Sequence, residues 1–270
     1  MKKFGSRLYL ALILIFLYAP ILILIVFSFN ESRFMSNWTG FSFKWYGELF
    51  KNKILMDALF VTLRVAVVST LVSTLVGTLG AVGIHAMRRR PRSLVENITY
   101  VPIVNPDIVT GVSLMLLFII LMIPRGEATL YIAHITFNIP YIIFSVMPKL
   151  RQMRPQLYEA ALDLGAKPSY AFRKVIMPEI MPGVFTGALL AFTLSIDDFV
   201  ISLFVTQGNV ANLSTAIYSM VKTGVKPTIN ALSAIMFVTV LALLLVVNLR
   251  ASRDSSNKKS RKSRLKEKTA

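Results

Sequence analysis

Long apolar blocks alternate with short polar stretches through most of the chain. A helix that crosses the hydrocarbon core of a membrane needs about 20 mostly apolar residues. The blocks predict six such helices, at about Leu8–Phe29, Leu59–Ala86, Ile98–Ile123, Ala128–Met147, Gly183–Val205 and Ile229–Leu249. The third block is interrupted by Asn105-Pro106-Asp107. We therefore expect an all-α membrane protein whose six-span transmembrane domain covers residues 1–250.

The positions of the basic residues predict the orientation of these spans. The net charge of +17 could indicate a nucleic-acid partner. However, most of the 30 Lys and Arg residues lie in alternate loops and at the termini, as in the cytoplasmic loops of membrane proteins. We expect a multi-pass inner-membrane protein with both termini cytoplasmic and no nucleic-acid partner. The polar, basic tail 251–270 is expected to be disordered and to lie against anionic lipid headgroups.

The polar segment 149–181, between the fourth and fifth blocks, is longer than a plain connection and has helical periodicity. One apolar face is formed by residues at i, i+3, i+4 and i+7, namely Leu157, Ala160, Ala161 and Leu164. Glu159 and Asp163 are i, i+4 neighbours on another face. Gly165 can end this helix in a left-handed conformation, and Pro168 or Ser169 can begin a second helix that stops by Pro178. The pattern predicts two cytoplasmic helices joined by a sharp bend, which either fit a partner's groove or lie on the membrane surface.

The same segment carries a motif at fixed spacing. Glu159-Ala160-Ala161, three residues, Gly165, nine residues and Val175-Ile176-Met177-Pro178 resemble the EAA loop of ABC-importer permeases, whose pattern is E-A-A-x3-G-x9-I-x-L-P. The resemblance implies a type I ABC-importer permease fold, in which this loop forms coupling helices that dock on a cytoplasmic ATPase dimer. The implied coupling residues are Glu159, Ala160, Ala161, Asp163, Gly165 and Pro178. The chain has no G-x-x-x-x-G-K-[ST] phosphate loop, so ATP and Mg are expected on the partner ATPase, with no cofactor in this chain.

Three acidic residues lie within the predicted spans, and they are Asp107, Asp197 and Asp198. An ionisable residue inside a membrane is costly and is therefore a functional candidate. Carboxylates along a pathway favour a cationic substrate. For Asp197 and Asp198 the alternative to a pathway role is a solvated pair at a frayed helix end. For Asp107 the alternative is a helix cap, in which Asn105 or Asp107 accepts backbone N–H bonds after the break.

Further segments resemble the permeases of ABC importers for spermidine and putrescine, including 30–34, 44–46, 106–109, 192–200, 217–222 and 224–232. The implied partners are a second homologous permease, the ATPase dimer and an extracytoplasmic polyamine-binding protein that docks on loops 30–58 and 206–228. Trp45 and Tyr218 are candidate pathway residues, because aromatic faces attract alkylammonium groups. Each is alternatively a membrane-interface or core residue.

Other classes of function remain open at this point. An ABC permease for another cationic or organic solute would show the same loop. An ion-coupled secondary transporter would have matching helix breaks in two inverted halves, whereas one clear break is found, at Pro106. A membrane hydrolase or peptidase is disfavoured because G-x-S-x-G and H-E-x-x-H are absent. The remaining candidate of this class is an aspartic protease that uses Asp107 and Asp197 as its dyad. With no Cys and two distant histidines, we expect neither a catalytic nor a metal site.

Overall fold

The computed structural model describes residues 2–34, 37–208, 210–224 and 227–242, and these ranges are almost entirely helical. The end of the predicted sixth span and the tail 251–270 lie outside the described residues. In chain order the helices are α1 (Lys2–Phe27), α2 (Lys44–Lys51), α3 (Lys53–Ala86), α4 (Arg89–Val104), α5 (Asp107–Ile120), α6 (Glu127–Gln152), α7 (Pro155–Asp163), α8 (Pro168–Ala171), α9 (Met177–Asp197), α10 (Val200–Val205), α11 (Leu213–Thr223) and α12 (Pro227–Ala242).

The chain divides into two compact units, residues 1–53 with 220–270 and residues 54–219. Among the described residues of the first unit, a single β-bridge between Asn30 and Phe41 closes the loop after α1. The second unit contains the packed core and the elements that position the candidate sites.

Four helical segments of the described chain are long and apolar enough to cross a membrane. They are Gly5–Phe27, Lys53–Ala86, Glu127–Gln152 and Pro168–Asp197, and α4 with α5 makes a fifth if the bent pair is one span. The prediction of an all-helical chain with several apolar helices of membrane-spanning length is confirmed for the described residues. The helix α12 is apolar but shorter than a full span within its described length. The number six and the side of the termini stay predictions.

The predicted third span, Ile98–Ile123, is not one span of regular helix. The helix α4 already begins at Arg89, and α4 and α5 meet at a bend of 103°. The cause is local, because a proline disfavours helical backbone at the residue before it. Asn105 is accordingly extended, with ψ 135°, and helix resumes at Asp107. The sequence therefore located the break correctly but not the sharp turn.

The predicted fifth span, Gly183–Val205, differs from the structure at both ends. The second helix predicted in segment 149–181 does not stop by Pro178, because α8 continues through a π-helical turn, Phe172–Ile176, into α9. In that turn the N–H of Met177 donates to the carbonyl of Phe172, and this wider turn accommodates the proline ring without ending the helix. At the other end, Asp198 and Phe199 interrupt the helix before α10.

Two clusters of buried side chains hold the second unit together. One joins α3, α6 and α9 through Ala81, Ile84, Ile142, Ile143, Val146, Met147, Leu150, Ile180 and Ala191. The other joins α3, α5, α6 and α10 through Val65, Phe118, Leu130, Ala133, Ile201 and Val205. The helix α6 belongs to both clusters, so it is the central element of this unit.

Close packing of α3 on α6 should make Gly77→Ala destabilising. A Cβ at Gly77 would lie 2.7 Å from the Cβ of Ile142 and 3.2 Å from the carbonyl of Ile139. We expect a loss of about 1–3 kcal/mol, because such overpacking forces the helices apart. Thermal unfolding of the purified protein in detergent measures this effect.

Gly80→Ala is the matched control, one turn along the same helix. A Cβ there would meet Cδ1 and Cγ1 of Ile143 at 3.5 and 3.8 Å, which are ordinary van der Waals distances. It should be neutral or stabilising by up to about 1 kcal/mol, because alanine is the better helix former. Equal melting temperatures for the two variants would contradict the packing argument.

Candidate functional site

The predicted helix–bend–helix in segment 149–181 is present. The helix α7 is followed by Gly165 at φ +81°, the left-handed conformation that the sequence predicts. The N–H of Gly165 donates to the carbonyl of Leu162 at 2.8 Å, and the N–H of Ala166 donates to that of Ala161 at 3.0 Å. These two bonds form a Schellman motif, which ends α7 and reverses the chain. Pro168 then occupies the first turn of α8, as expected.

We call residues 155–171 the knob. The side chains of Glu159, Ala160 and Asp163 are exposed, and that of Leu164 is 89% exposed. Neither Glu159 nor Asp163 has a hydrogen bond or ion pair with any described residue. The knob therefore presents acidic and apolar side chains that no other described residue covers. An open groove of about 470 Å³ is lined by Ser169 and Tyr170 of the knob and by Arg173 and Lys174, which follow the knob in the chain.

Asp198 is a buried helix cap. It lies in the break between α9 and α10, and its carboxylate accepts hydrogen bonds from the N–H groups of Ile201 (3.2 Å) and Ser202 (2.8 Å). The hydroxyl of Ser202 also donates to it at 2.5 Å, and Nε2 of His134 lies 3.5 Å away. Only 8% of its side chain is exposed. The alternative of a solvated Asp197-Asp198 pair is therefore wrong for Asp198.

Asp197 and Asp107 have the opposite environment. Asp197 is the last residue of α9, Asp107 is the first residue of α5, and both side chains are exposed. Neither carboxylate bonds to another described residue. No side chain caps α5, and Asn105 donates instead to the hydroxyl of Thr110 at 3.1 Å. The capping alternative for Asn105 or Asp107 is therefore not formed, and both acids remain available to a ligand.

The two aromatic candidates differ in exposure, since Trp45 is buried and Tyr218 is exposed. Trp45 lies on α2 with 6% of its surface exposed, and its indole N–H donates to the carbonyl of Asn30 at 2.7 Å. The ammonium of Lys44 lies 5.2 Å from the centre of its ring. Tyr218, on α11, is 40% exposed and its ring lies 4.7 Å from that of Phe199. A substrate cation on the face of Trp45 would need the ammonium of Lys44 to move.

A buried polar network surrounds Asp198, and the sequence analysis did not predict it. Asn212 donates to the carbonyl of Asp198 and to the hydroxyl of Ser202, each at 2.8 Å. A second chain of bonds runs from Asn138 on α6 to Ser195 on α9 at 2.8 Å, and from Ser195 to Ser69 on α3 at 3.3 Å. The signal was present, because His134 and Asn138 are polar residues one turn apart within an apolar block. No cluster of His, Cys, Asp or Glu suited to a metal ion occurs in the described ranges.

Comparison with known proteins gives consistent matches along the chain. Residues 73–251 match the family model described as "Binding-protein-dependent transport system inner membrane component". The spermidine/putrescine transport system permease protein PotC of Escherichia coli (strain K12) is 44% identical over 236 residues, 87% of this chain and 89% of PotC. The putrescine transport system permease protein PotI of the same strain is 39% identical over 227 residues, covering 82% and 81% of the two chains.

Solved structures show the same fold at low sequence identity. A chain of a bacterial ABC transporter involved in the import of the acidic polysaccharide alginate aligns with a TM-score of 0.71, at 16% identity, over 92% of this chain and 95% of that one. The MetNI methionine ABC transporter aligns with a TM-score of 0.61, at 21% identity, over 74% and 95%. An alginate transporter in complex with a pentasaccharide-bound periplasmic protein aligns with a TM-score of 0.70, at 19% identity, over 91% of both chains.

Proposed function

Because the chain belongs to the family of binding-protein-dependent transport system inner membrane components, we propose that it is the permease subunit of an ATP-driven importer for polyamines. It is a transport component and not an enzyme. The observation that carries the polyamine assignment is the 44% identity to PotC over 87% of the chain. The importer class is supported independently by the exposed knob, which has the EAA spacing.

The proposed subunit has six spans within residues 1–250, both termini cytoplasmic and a basic tail, 251–270. It forms half of the pathway, and a second homologous permease forms the other half. The knob docks on a cytoplasmic ATPase dimer that binds ATP and Mg, and an extracytoplasmic binding protein delivers the substrate to the outer loops. Closure of the ATPase dimer moves the knob, and the spans follow in alternating access.

The knob suits docking because of its chemistry. Glu159 and Asp163 are unpaired anions on a short helix, and Ala160 and Ala161 allow close approach of a partner's backbone. Because neither acid has an ion pair among the described residues, docking can form a salt bridge to the partner without breaking an internal one. Gly165 fixes the bend, and Pro178 lies in the first turn of the helix that leads into the membrane.

The substrate pathway is proposed to use the helix breaks. Asp107 and Asp197 end or begin a helix at a break, are exposed and lack partners, so each can offset part of the hydration that a polyamine ammonium loses. Asp198 acts differently, because its carboxylate holds α10 in place beside Asp197. Trp45 and Tyr218 are proposed to contribute aromatic surface near the path.

Reconstituted uptake tests the proposal. The chain is purified with its co-encoded permease and ATPase, placed in proteoliposomes and supplied with the binding protein and labelled spermidine or putrescine. Uptake should require ATP hydrolysis inside the vesicles and stop with vanadate. Uptake driven by a proton or sodium gradient without ATP would favour a secondary transporter and reject the proposal. Uptake of a different solute, with polyamines neither transported nor competing, would reject the substrate alone.

A further inference from the structure

The helix α4 is attached along its length to the cytoplasmic half of α6. The ring of Tyr100 contacts that of Phe144 edge-on at 5.2 Å, and Val95 packs against the core cluster of α3, α6 and α9. Nearer the start of α4, the guanidinium of Arg92 lies 3.7 Å from the sulfur of Met147. These contacts make α4 and this part of α6 one packed body.

Glu96 supplies the polar part of this attachment. One carboxylate oxygen accepts from Nε of Arg92 at 2.9 Å, and the other accepts from Nη2 of Arg151 at 2.7 Å. The Glu96 side chain is 19% exposed, the bond from Arg92 is partly buried, and Arg151 reaches Glu96 from the surface with 56% of its side chain exposed. This arrangement differs from an ordinary surface ion pair, because one partly buried acid joins arginines of two helices.

The two ends of this clamp lead to the two candidate sites. Arg151 is in the last turn of α6, four residues before the knob begins at Pro155. Beyond the other end of α4 is the bend at Asn105-Pro106, and Asp107 follows it directly.

After the bend, the chain packs on a different partner. The helix α5 lies against α10, and a Cβ at Gly111 would be 3.0 Å from the ring of Phe204 and 3.3 Å from the Cα of Ile201. Thus α4 is fixed to the last turns of α6, whereas α5 is fixed to α10 and, through Phe118, to the first turns of α6. The 103° bend lies between these two sets of contacts.

We propose that Glu96 is a positioning residue for transport: by bonding Arg92 and Arg151 it makes α4 follow the cytoplasmic end of α6, so that movement of the knob changes the bend at 105–106 and the position of Asp107. This inference rests on the proposed function, because it assigns the route between the two sites of that function. The bend converts a displacement of α4 into a change of angle, since α5 is held by α10.

The first test is Glu96→Gln in the reconstituted importer. The amide keeps the shape but loses the charge that both arginines bond. We expect spermidine uptake per ATP hydrolysed to fall about fivefold or more, with ATPase activity and subunit assembly within about twofold of the original protein. Arg90→Gln is the matched control on the same helix, because Arg90 is exposed and has no partner among the described residues. It should leave the ratio unchanged.

A charge exchange separates the clamp from the residue itself. Glu96→Arg alone should lower the uptake ratio further, because it places three cations together. Glu96→Arg combined with Arg151→Glu restores one acid between two arginines and should recover at least half of the original ratio. Failure of the exchange to recover any uptake, together with a lower melting temperature in Glu96→Gln, would assign Glu96 a merely structural role and overturn the proposal.

A distance measurement reads the movement without relying on transport. The chain has no Cys, so spin labels at Leu94→Cys on α4 and Lys167→Cys on the knob report one distance, and both sites are exposed. With the clamp intact, this distance should keep a narrow distribution with and without nucleotide, and in Glu96→Gln it should broaden. An unchanged distribution in Glu96→Gln overturns the proposal. Absence of ATP-driven uptake in the original protein would instead reject the proposed function.

Discussion

Replacing Glu159 with lysine is expected to lower ATP-driven polyamine uptake about tenfold or more while the protein still reaches the membrane. The side chain is exposed and unpaired, so the fold loses no contact when the charge is reversed. At the docking surface, an ammonium would meet cations placed for a carboxylate, and like charges at an interface cost several kcal/mol. Uptake in proteoliposomes and co-purification of the ATPase should fall together, and thermal unfolding of the isolated permease should not change.

Glu179→Lys is the matched control for this charge reversal. Glu179 is an exposed acid in the first turn of α9, outside the knob. It should retain most of the uptake. Normal uptake in the Glu159 variant would remove the docking role of the knob, whatever the substrate proves to be.

The neighbouring acids at the end of α9 should respond differently to the same substitution. Asp197→Asn is expected to reduce spermidine uptake severalfold without changing the melting temperature, because the carboxylate is exposed and holds no other group. Asp198→Asn is expected to reduce both uptake and stability, the latter by about 1–3 kcal/mol, because an amide is a poorer acceptor for the N–H groups and hydroxyl that this carboxylate caps.

Labelled spermidine uptake and thermal unfolding, measured on the same preparations, separate the two roles. Ser202→Ala is the control for the cap, since it removes one bond to Asp198 and leaves both charges. It should lower the melting temperature and leave most of the spermidine uptake. If both aspartate variants transported spermidine normally, a cation path along these residues would be excluded.

The features that the sequence predicted well are those set by a few consecutive residues. Gly165 adopts the left-handed conformation, and Pro106 interrupts the third block, because each depends on backbone sterics within one or two residues. Pro178 shows the limit of such reasoning. A proline stops an α-helix when the preceding turn is regular, and the wider π-helical turn at Phe172–Ile176 removes that condition.

The features that could not be predicted depend on residues far apart in the chain. Asp197 and Asp198 are adjacent acids in the sequence, and the approach of His134 on α6, 64 residues earlier, shows which of the two is buried. The 103° bend likewise depends on α4 packing against α6 and α5 packing against α10, which no local pattern records. Propensity locates a break, and tertiary packing sets its angle.

The backbone conformation at Gly165, and not the space around it, limits which residues can replace this glycine. No atom beyond its chain neighbours lies within 4 Å of where a β-carbon would be, so even a bulky group would find room. With φ at +81°, however, an L-configured side chain is strained against its own peptide plane, and a mirror-image residue would not be. Glycine, which is achiral, is therefore the residue best suited to this position, and asparagine is the next best.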